Sequence, residues 1–586
     1  MEGAKEVQDL YNNGVFDFKQ SRRIAVGDAL PADAELLVLG DDGAPRSVRL
    51  GDVTSGRRVV LFGLPGAFTS VCSSKHVPEF ASRAAELRDA GVSHIACLSV
   101  NDPWVMADWA DRLGVDTRSV AMLADGEGLV HSRMGLLQHM PGLGVRALRY
   151  SILADDGKIA LRHPPRTSEA SASAAAARAA SMAAEAAGGG DAFEPRPFTI
   201  AVPDEELLFL ASRLESARFP DQLEGIAPWE DGTDLHYFKG FVEHWRTRYD
   251  WRAWEARLNA LPQFTAAVRG VDLHFVHQRS PRPDATPLLL LHGWPGSYFE
   301  FIKLIPLLGD AFHIVAPSLP GYGWSSAPKQ RGFGSTAIAA TVDSLMARLG
   351  YARYIAQGGD WGAIICRALA KYHQTSCAAV HLNMVVASPR LTSPRHLLQL
   401  ANVAVAPGLP IFLSAGELAG LKELGHFREA ESAYQKIQGT KPQTLAYALQ
   451  DSPVGLAAWI LEKFRTWSDC GGDPDAALSK DEMLTNICIY WFGGRIASSM
   501  RLYKETLSNK AELGALFGGY TPTPTGAAIF PRELVKPPRS WAQAAYNIQA
   551  WTEMPRGGHF AALEQPELLA REVLAFGQLA ASKGWL

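Results

Sequence analysis

Strand-like and helical stretches alternate along residues 1–165 of the chain. The strand-like stretches are short runs of apolar residues, and between them apolar residues recur at helical spacing. In chain order the predicted elements are Arg58–Gly63, Cys72–Asp89, His94–Val100, Trp104–Leu113 and Tyr150–Ala154. This order predicts an α/β domain with a central sheet.

A second alternation of strands and helices begins at Thr286. PLLLLHGWPGSY and FHIVAPSLPGYG each run from a strand into a turn, and YIAQGGDWGAIICRALA combines a strand, a tight turn and a helix. Residues from about 388 to 495 are mainly helical by pattern, and strand character resumes at Asn547–Glu553. Such a helical insertion predicts a lid over a parallel-sheet core in residues 276–586. Residues 193–275 form a separate segment before this core.

A segment rich in Ala, Ser and Gly separates the two alternations. Thr167–Gly190 has the sequence TSEASASAAAARAASMAAEAAGGG, which favours a helix ended by its glycines. It offers few large apolar groups to bury, so residues 166–192 are a terminal helix or a linker. We find no internal repeat across it, and the two halves are therefore different units.

The composition is that of an ordinary globular protein. Of the 586 residues, 47% are apolar and 20% are charged, and the net charge is −4. There is no basic stripe for nucleic acid and no polybasic patch for a membrane surface. The apolar runs are too short to span a bilayer, and the polar start MEGAKEVQDLYNN is unlike a signal peptide. We therefore expect a cytoplasmic protein without a membrane anchor.

The six cysteines show no spacing typical of a metal site. They are Cys72, Cys97, Cys366, Cys377, Cys470 and Cys488. We expect reduced thiols rather than a disulfide framework, and neither a metal nor a cofactor.

The sequence around Asp360 is typical of a nucleophile elbow. In Gln357–Ile364 (QGGDWGAI) a strand enters, glycines allow a sharp turn, and a helix leaves with the aspartate at the apex. A carboxylate there can attack a carbon centre and form an ester that water then hydrolyses. The plainer interpretation is a helix cap. His292–Gly296 (HGWPG) follows an earlier strand, where the Trp294 and Trp361 N–H groups could form an oxyanion hole.

An acid and a histidine follow the elbow in the chain. His559 lies in the Gly-rich sequence RGGHF after the last predicted strand, and Glu533 lies upstream of it in FPRE. The order nucleophile, acid, histidine is that of an α/β-hydrolase. Glu564 is a weaker candidate for the acid.

Residues 195–586 resemble the microsomal-type epoxide hydrolases, including the insect juvenile-hormone group. The matching sequences are PFTIAVPDEELLFLASRL, HGWPGSYFEF, GGDWGA, SAYQKIQGTKPQTLAYALQDSPVGLAAWILEKF, RLYKE, FPREL and RGGHFAALEQPELLA. The resemblance implies an α/β-hydrolase core with a helical lid and an N-terminal meander over residues 193–275. Membrane-bound members carry a hydrophobic anchor, where this chain has a different domain.

The resemblance also assigns roles to individual residues. It implies that Asp360 is the nucleophile, His559 the general base and Glu533 its acid partner. Tyr434 and Tyr503 would be lid tyrosines that bind the epoxide oxygen, which becomes an alkoxide when the ring opens. Without the surrounding matches, ordinary packing would explain each tyrosine.

Two other functions remain open for this half. A haloalkane dehalogenase also has Asp followed by Trp at its elbow, but it needs halide-binding donors in place of the two tyrosines. A ligand-binding module would require the acid and base to be lost, and both are present in the sequence.

The first half has its own reactive-cysteine motif. In PGAFTSVC, Cys72 follows a strand at the predicted start of a helix, which favours the thiolate, and Thr69 can bind a peroxide oxygen. The commoner role of a lone cysteine is a buried packing residue.

Residues 23–164 resemble the atypical peroxiredoxins of the five or type-II kind, which have a thioredoxin-like fold. The matching sequences are PGAFTSVCSSKHVPEF, ACLSVNDPWVMADWA, LADGEG and GLGVRALRYSILADDGKI. Pro65, Thr69 and Cys72 meet the family pattern, and its arginine falls on Arg149, with Arg146 as an alternative. The resemblance implies a thiol peroxidase that reduces hydroperoxides.

The reductant of this cycle is expected to be external. Cys97 lies in a predicted strand and is expected to be a packing residue, so we predict a one-Cys cycle with glutathione or a glutaredoxin. A homodimer through this half is possible. The alternative is a redoxin fold that serves only for dimerisation or targeting.

Overall fold

The computed structural model describes residue 24 and residues 27–40, 42–69, 72–89, 91–140, 144–163 and 194–586. The chain forms two compact units, residues 1–192 and residues 193–586. The predicted linker, residues 166–192, lies outside the described residues. Among the residues described, no helix is long and apolar enough to cross a membrane.

The first unit is built on a seven-stranded sheet in the order β2-β1-β5-β4-β3-β8-β9, with a separate β6-β7 hairpin. In chain order, β1 to β9 are Glu35–Leu39, Pro45–Arg49, Arg58–Leu64, His94–Ser99, Ala121–Ala124, Leu137–Met140, Gly144–Ala147, Tyr150–Asp155 and Lys158–His163. Strands β3, β4 and β5 pair in parallel, and β8 pairs antiparallel with β3. Strand β3 is almost entirely buried, as its unbroken apolar run predicts.

Short helices flank this sheet. They are Leu50–Thr54, Val77–Ser82, Ala84–Asp89, Pro103–Arg112 and Leu129–Arg133, and a π-helical turn, Cys72–His76, precedes the second. Phe80 on Val77–Ser82 stacks on Phe62 of β3 with ring centroids 4.0 Å apart. The predicted single helix over 72–89 is therefore three pieces, each anchored on the sheet by apolar side chains.

The second unit has a nine-stranded sheet in the order β10-β11-β12-β14-β13-β15-β16-β17-β18. In chain order, β10 to β18 are Arg196–Pro197, Gln263–Val268, Val271–Gln278, Thr286–Leu291, Phe312–Pro317, Tyr354–Gly358, Cys377–Leu382, Thr521–Ile529 and Tyr546–Glu553. The pairs among β10, β11, β12 and β14 are antiparallel, and the strands from β14 to β18 pair in parallel.

Helices cover this sheet and follow its strands. Outside the long insertion they are Asp204–Glu215, Leu235–Thr247, Trp251–Asn259, Leu304–Leu308, Ser335–Arg348, Asp360–Tyr372, Arg539–Ala545, Ala561–Glu564 and Pro566–Ser582, with a 3-10 turn at Tyr298–Phe301. The central parallel strands are apolar and buried on both faces.

The helical insertion lies between β16 and β17. Its helices are Pro394–Val405, Ala415–His426, Ala433–Thr440, Pro442–Asp451, Pro453–Trp467, Lys480–Gly493, Ile496–Ser508 and Lys510–Phe517, with a π-helical turn at Phe427–Glu431 and a 3-10 turn at Pro474–Ala476. The insertion is longer than the expected residues 388–495, because two more helices follow before the chain returns to the sheet.

Strand β17 was not predicted from the sequence. Thr521–Ile529 contains Pro522 and Pro524, which lack the N–H that a central strand needs. The strand nevertheless lies between β16 and β18, and its regular pairing with β16 covers only Thr525–Ala527. Both prolines lie before that part, and the pairing of β17 with β18 is irregular between Thr521 and Pro524.

Candidate active sites

Asp360 lies at a sharp turn between β15 and the helix Asp360–Tyr372. Its backbone has φ +45°, a conformation that residues other than glycine rarely adopt. A Cβ at Gly362 would overlap the carbonyl oxygen of Leu291, and one at Gly293 would overlap the Asp360 carboxylate. The glycines thus let the turn pack against the end of β13, and Asp360 is held in a strained, half-buried position at the carboxyl edge of the sheet.

Two groups from separate loops contact the Asp360 carboxylate, and a third contacts one of them. The Trp294 amide donates to Asp360 Oδ1 at 2.8 Å. His559 Nε2 lies 3.4 Å from Asp360 Oδ2, and its Nδ1 lies 2.8 Å from Glu533 Oε1. The loops that carry them follow β13, β17 and β18, whose carboxyl ends meet at one edge of the sheet.

The two residues of this contact, His559 and Glu533, are both buried. His559 is 4% exposed and Glu533 is 2% exposed. Burial by itself would lower the pKa of His559, but the carboxylates of Glu533 and Asp360 raise it well above its usual value. The ring is therefore oriented and its charged form stabilised by two anions.

Glu564 braces the loop that carries His559. Its carboxylate accepts backbone N–H bonds from Gly558 at 3.0 Å, Phe560 at 2.9 Å and Asp469 at 2.8 Å. Burial raises the pKa of Glu564 to about 7. The carboxylate that contacts the His559 ring is that of Glu533. The contacts of Glu564, the weaker candidate for the acid, are with backbone N–H groups instead.

Two tyrosines of the helical insertion lie close to the turn that holds Asp360. The Tyr434 ring stacks on Trp294 at 5.2 Å, and the Tyr503 ring meets the Trp361 ring edge-on at 4.8 Å. The two phenol rings are 5.8 Å apart. Burial, together with the charge of Asp360, raises the pKa of Tyr434. The Tyr503 hydroxyl is buried without a hydrogen-bond partner among the described residues.

The first unit brings Cys72 to a buried turn beside β3. Cys72 is fully buried at the start of the π-helical turn Cys72–His76. The loop before it includes half-buried Pro65 and Thr69, and the Thr69 hydroxyl donates to the Gly66 carbonyl at 3.0 Å. The expected start of an α-helix at Cys72 is therefore a wider turn, with the α-helix beginning at Val77.

Both candidate arginines lie near this turn and loop. Arg149 Nη1 is 2.9 Å from His76 Nδ1, at the far end of the turn that starts with Cys72. Burial lowers the pKa of His76 to about 3, and Arg149 adds to the effect. A Cβ at Gly66 would lie 3.8 Å from Arg146 Nε. The predicted arginine and its alternative thus approach different parts of the motif.

Cys97 lies on β4 and is fully buried. Burial raises the pKa of the Cys97 thiol well above its usual value, and the nearby Cys72 sulfur contributes. All six cysteines are free and buried.

Three family models match the chain. Residues 25–177 match Redoxin, residues 195–301 match the epoxide hydrolase N terminus, and residues 286–471 match the alpha/beta hydrolase fold. Epoxide hydrolase 1 of Oryctolagus cuniculus is 38% identical over 409 residues, which cover 65% of this chain and 88% of that protein.

The chain belongs to the epoxide hydrolase family. Solved structures of that family agree: juvenile hormone epoxide hydrolase of the silkworm Bombyx mori has a TM-score of 0.61 and 33% identity, covering 67% of this chain and 96% of its own. The epoxide hydrolase of Aspergillus niger has a TM-score of 0.58 and 34% identity, covering 66% and 97%. The predicted fold class and both resemblances are confirmed, since a Redoxin domain precedes the hydrolase.

The sequence interpretation missed two polar residues at the hydrolase site. Glu300 and Gln357 line a small cavity that also contacts Asp360 and His559. Each had a signal in the sequence. Glu300 is an acid between aromatic residues in YFEF, and Gln357 is a polar residue at the end of an otherwise apolar strand. Neither signal alone indicates a site, because a surface acid or a hydrogen-bonded amide would look the same.

Proposed function

We propose that the second unit converts epoxides to vicinal diols through an ester on Asp360. The observation that carries the proposal is the placement of a base and two phenols around one strained carboxylate: His559 Nε2 is 3.4 Å from Asp360, and Tyr434 and Tyr503 pack on the tryptophans beside it. A carboxylate nucleophile with a base and proton donors close to it is what two-step epoxide hydrolysis requires.

In the first step, an Asp360 oxygen bonds to one epoxide carbon. The C–O bond on that carbon breaks, and the oxygen that leaves becomes an alkoxide on the neighbouring carbon. A proton from Tyr434 or Tyr503 neutralises it, because their raised pKa values keep both phenols protonated and able to donate. The product is an ester between Asp360 and the future diol.

In the second step, His559 removes a proton from water, which attacks the ester carbon. Ester formation removes the charge of Asp360, one of the two anions that raise the pKa of His559. The pKa of His559 therefore falls in the ester, and more of the imidazole is neutral when it has to act as a base. Glu533 holds the ring orientation and stabilises the imidazolium that forms.

Diol formation from a panel of aryl and alkyl epoxides tests this proposal. We expect turnover by the wild type and none by Asp360→Ala. A folded wild type without turnover on any epoxide would contradict the proposal, and haloalkanes would then be the next substrates, since a dehalogenase is the nearest alternative.

We infer that the first unit reduces hydroperoxides through Cys72. The thiolate sulfur would bond to one peroxide oxygen as the O–O bond breaks, so that Cys72 becomes a sulfenic acid. The other oxygen would take up the proton that the thiol had lost and leave as the alcohol, and an external thiol would then reduce the sulfenic acid. The match to Redoxin supports this inference, as does the placement of Cys72 on a turn that Arg149 contacts through His76. The cationic guanidinium favours negative charge on that turn.

Peroxide consumption with glutathione, with and without glutaredoxin, tests the inference. Wild type should consume peroxide and Cys72→Ser should not. A Cys72–Cys97 disulfide detected by mass spectrometry after stoichiometric peroxide would contradict the one-Cys cycle. Equal rates for wild type and variant would support the alternative of a non-catalytic dimerisation module.

A further inference from the structure

A small cavity lies beside the Asp360 carboxylate. The volume open to the centre of a water molecule is about 10 Å³, which is close to what a single bound water needs. Asp360 and His559 form part of its wall, together with the side chains of Glu300 and Gln357. The cavity therefore has polar groups on more than one side, which a bound water requires.

The Glu300 carboxyl reaches this cavity because residue 296 is glycine. A Cβ at Gly296 would overlap Glu300 Oε1. Glu300 itself lies in the turn Tyr298–Phe301, whose neighbouring residues are buried aromatics. The carboxyl thus points back toward the loop His292–Gly296, whose Trp294 amide donates to Asp360, although nothing in the catalytic steps above uses it.

Gln357 presents an unused acceptor to the same cavity. Its Nε2 donates to Asn383 Oδ1 at 2.8 Å, which leaves Oε1 as the free end of the amide. Within the described part of the chain this buried oxygen has no hydrogen-bond partner. Gln357 is 1% exposed, and a buried acceptor of this kind is costly unless water or a ligand satisfies it.

We propose that Glu300 and Gln357 hold the hydrolytic water in this cavity, so that Glu300 is a positioning residue for the second half of the reaction. The inference rests on the function proposed above. Gln357 Oε1 accepts a hydrogen bond from one O–H of the water, Glu300 donates a hydrogen bond to the water oxygen, and His559 takes the proton of the other O–H during attack.

The step balances in atoms and charge. The water oxygen bonds to Cγ of the Asp360 ester while one water proton moves to His559. The bond from Cγ to the diol oxygen then breaks, and His559 returns that proton to the diol. The second water proton leaves the regenerated Asp360 acid and replaces the one that the tyrosine gave up.

The protonation state of Glu300 fits this role. Burial raises the pKa of Glu300 to about 8, Asp360 and Glu533 add to it, and His559 and the Gly293 amide lower it. Tyr490 is also close, since its hydroxyl donates to the Gly296 carbonyl at 2.7 Å. A neutral carboxylic acid can donate a hydrogen bond to water, whereas a second carboxylate would only accept.

Stopped-flow and rapid-quench measurements on the full chain test the role by separating ester formation from ester hydrolysis. For Glu300→Leu we expect ester formation within about twofold of wild type and hydrolysis slowed about 10- to 100-fold, so that the ester accumulates in the intact-protein mass spectrum. Glu300→Gln keeps a neutral donor and should retain most of the hydrolysis rate. Glu567→Leu, the same exchange at an exposed position, is the matched control.

The pH profile provides a second readout. Wild-type hydrolysis should decline at alkaline pH as Glu300 loses its proton, at a lower pH than in the free enzyme because the ester removes the Asp360 charge that helps to raise the Glu300 pKa, and Glu300→Gln should lack this decline. Hydrolysis unaffected in Glu300→Leu, or both steps slowed equally, would overturn the role of Glu300. A wild type that forms no ester with any epoxide would instead overturn the proposed function, and this role with it.

Discussion

At the scale of single residues, the hydrolase site depends on buried charged groups that stabilise each other. His559 and Glu533 are almost completely buried, and a lone ion there would be unstable. Their mutual contact at 2.8 Å offsets that cost and fixes which nitrogen of His559 faces Asp360. The contact with Glu533 therefore orients the imidazole ring of His559 toward Asp360.

The tyrosines should affect only the first chemical step. We predict that Tyr503→Phe and Tyr434→Phe each slow ester formation about 10- to 1,000-fold, because the alkoxide loses a proton donor where its charge develops. Ester hydrolysis should change little. Rapid-quench measurement of the ester checks this, with exposed Tyr447→Phe as the control that should match wild type. Equal slowing of both steps would contradict it.

The pH dependence of ester hydrolysis should report the Glu533–His559 contact. His559 acts as a base only when neutral, so the rate rises with pH through its pKa, which Glu533 raises. In Glu533→Gln that pKa falls, and the acidic limb should shift to lower pH while the maximal rate drops about 10²- to 10⁴-fold. Exposed Glu567→Gln should leave the profile unchanged. A limb that stays in place would show that Glu533 does not set this pKa.

At the scale of elements, the nucleophile turn requires glycine for steric reasons. We predict that Gly362→Ala lowers the free energy of unfolding of the second unit by about 1–3 kcal/mol or more, because a Cβ there overlaps the Leu291 carbonyl. Gly416→Ala is the matched control, since it lies in a helix with open space around it and should be neutral or stabilising by up to about 1 kcal/mol. Urea unfolding followed by tryptophan fluorescence measures both. Equal effects would contradict the packing argument.

The parts of the site that follow from local rules were predictable. The elbow at Asp360 follows from glycines around an acid between a strand and a helix, and the chain order of Glu533 and His559 follows from the same topology. Cys72 followed from its motif, although the π-helical turn did not. The contacts between the tyrosines and Trp294 and Trp361 depend on how separate helices pack, which no local pattern specifies.

One helix shows why periodicity alone misleads. Pro394–Val405 buries its polar residues His396, Gln399 and Asn402, while Leu397 and Leu398 are each 47% exposed. Asn402 donates to the carbonyls of Ala406 and Leu409, both at 2.9 Å. The polar face thus organises the following loop. If the apolar positions of this helix were assumed to form its buried face, Leu397 and Leu398 would be predicted to face the core, although they are exposed.

At the scale of the whole molecule, the two units have separate cores. The core of the second unit contains only residues from Ile200 onward, and those of the first unit lie between Ile24 and Ile159. Each proposed site draws all its residues from one unit.

We further propose that the fusion removes hydroperoxides and epoxides that arise together from oxidised lipids. Unchanged sensitivity to oxidised lipid in cells that lack the protein would count against this proposal.

The two activities should therefore be separable by single substitutions. We predict that Cys72→Ser abolishes peroxide reduction and leaves diol formation within about twofold of wild type, and that Asp360→Ala does the reverse, as expected for sites that share no residues. Measuring peroxide consumption and diol formation in both variants tests this prediction. A large loss of diol formation in Cys72→Ser would show that the units depend on each other.

The central claim is that Asp360 forms a covalent ester, and the most direct measurement is intact-protein mass spectrometry with peptide mapping after addition of an epoxide to His559→Gln. Without its base the variant should stop after the first step. The claim predicts a mass increase equal to one epoxide, located on the peptide that contains Asp360 and absent when Asp360 is changed to alanine. Diol formation by Asp360→Ala, or an adduct on another residue, would contradict it.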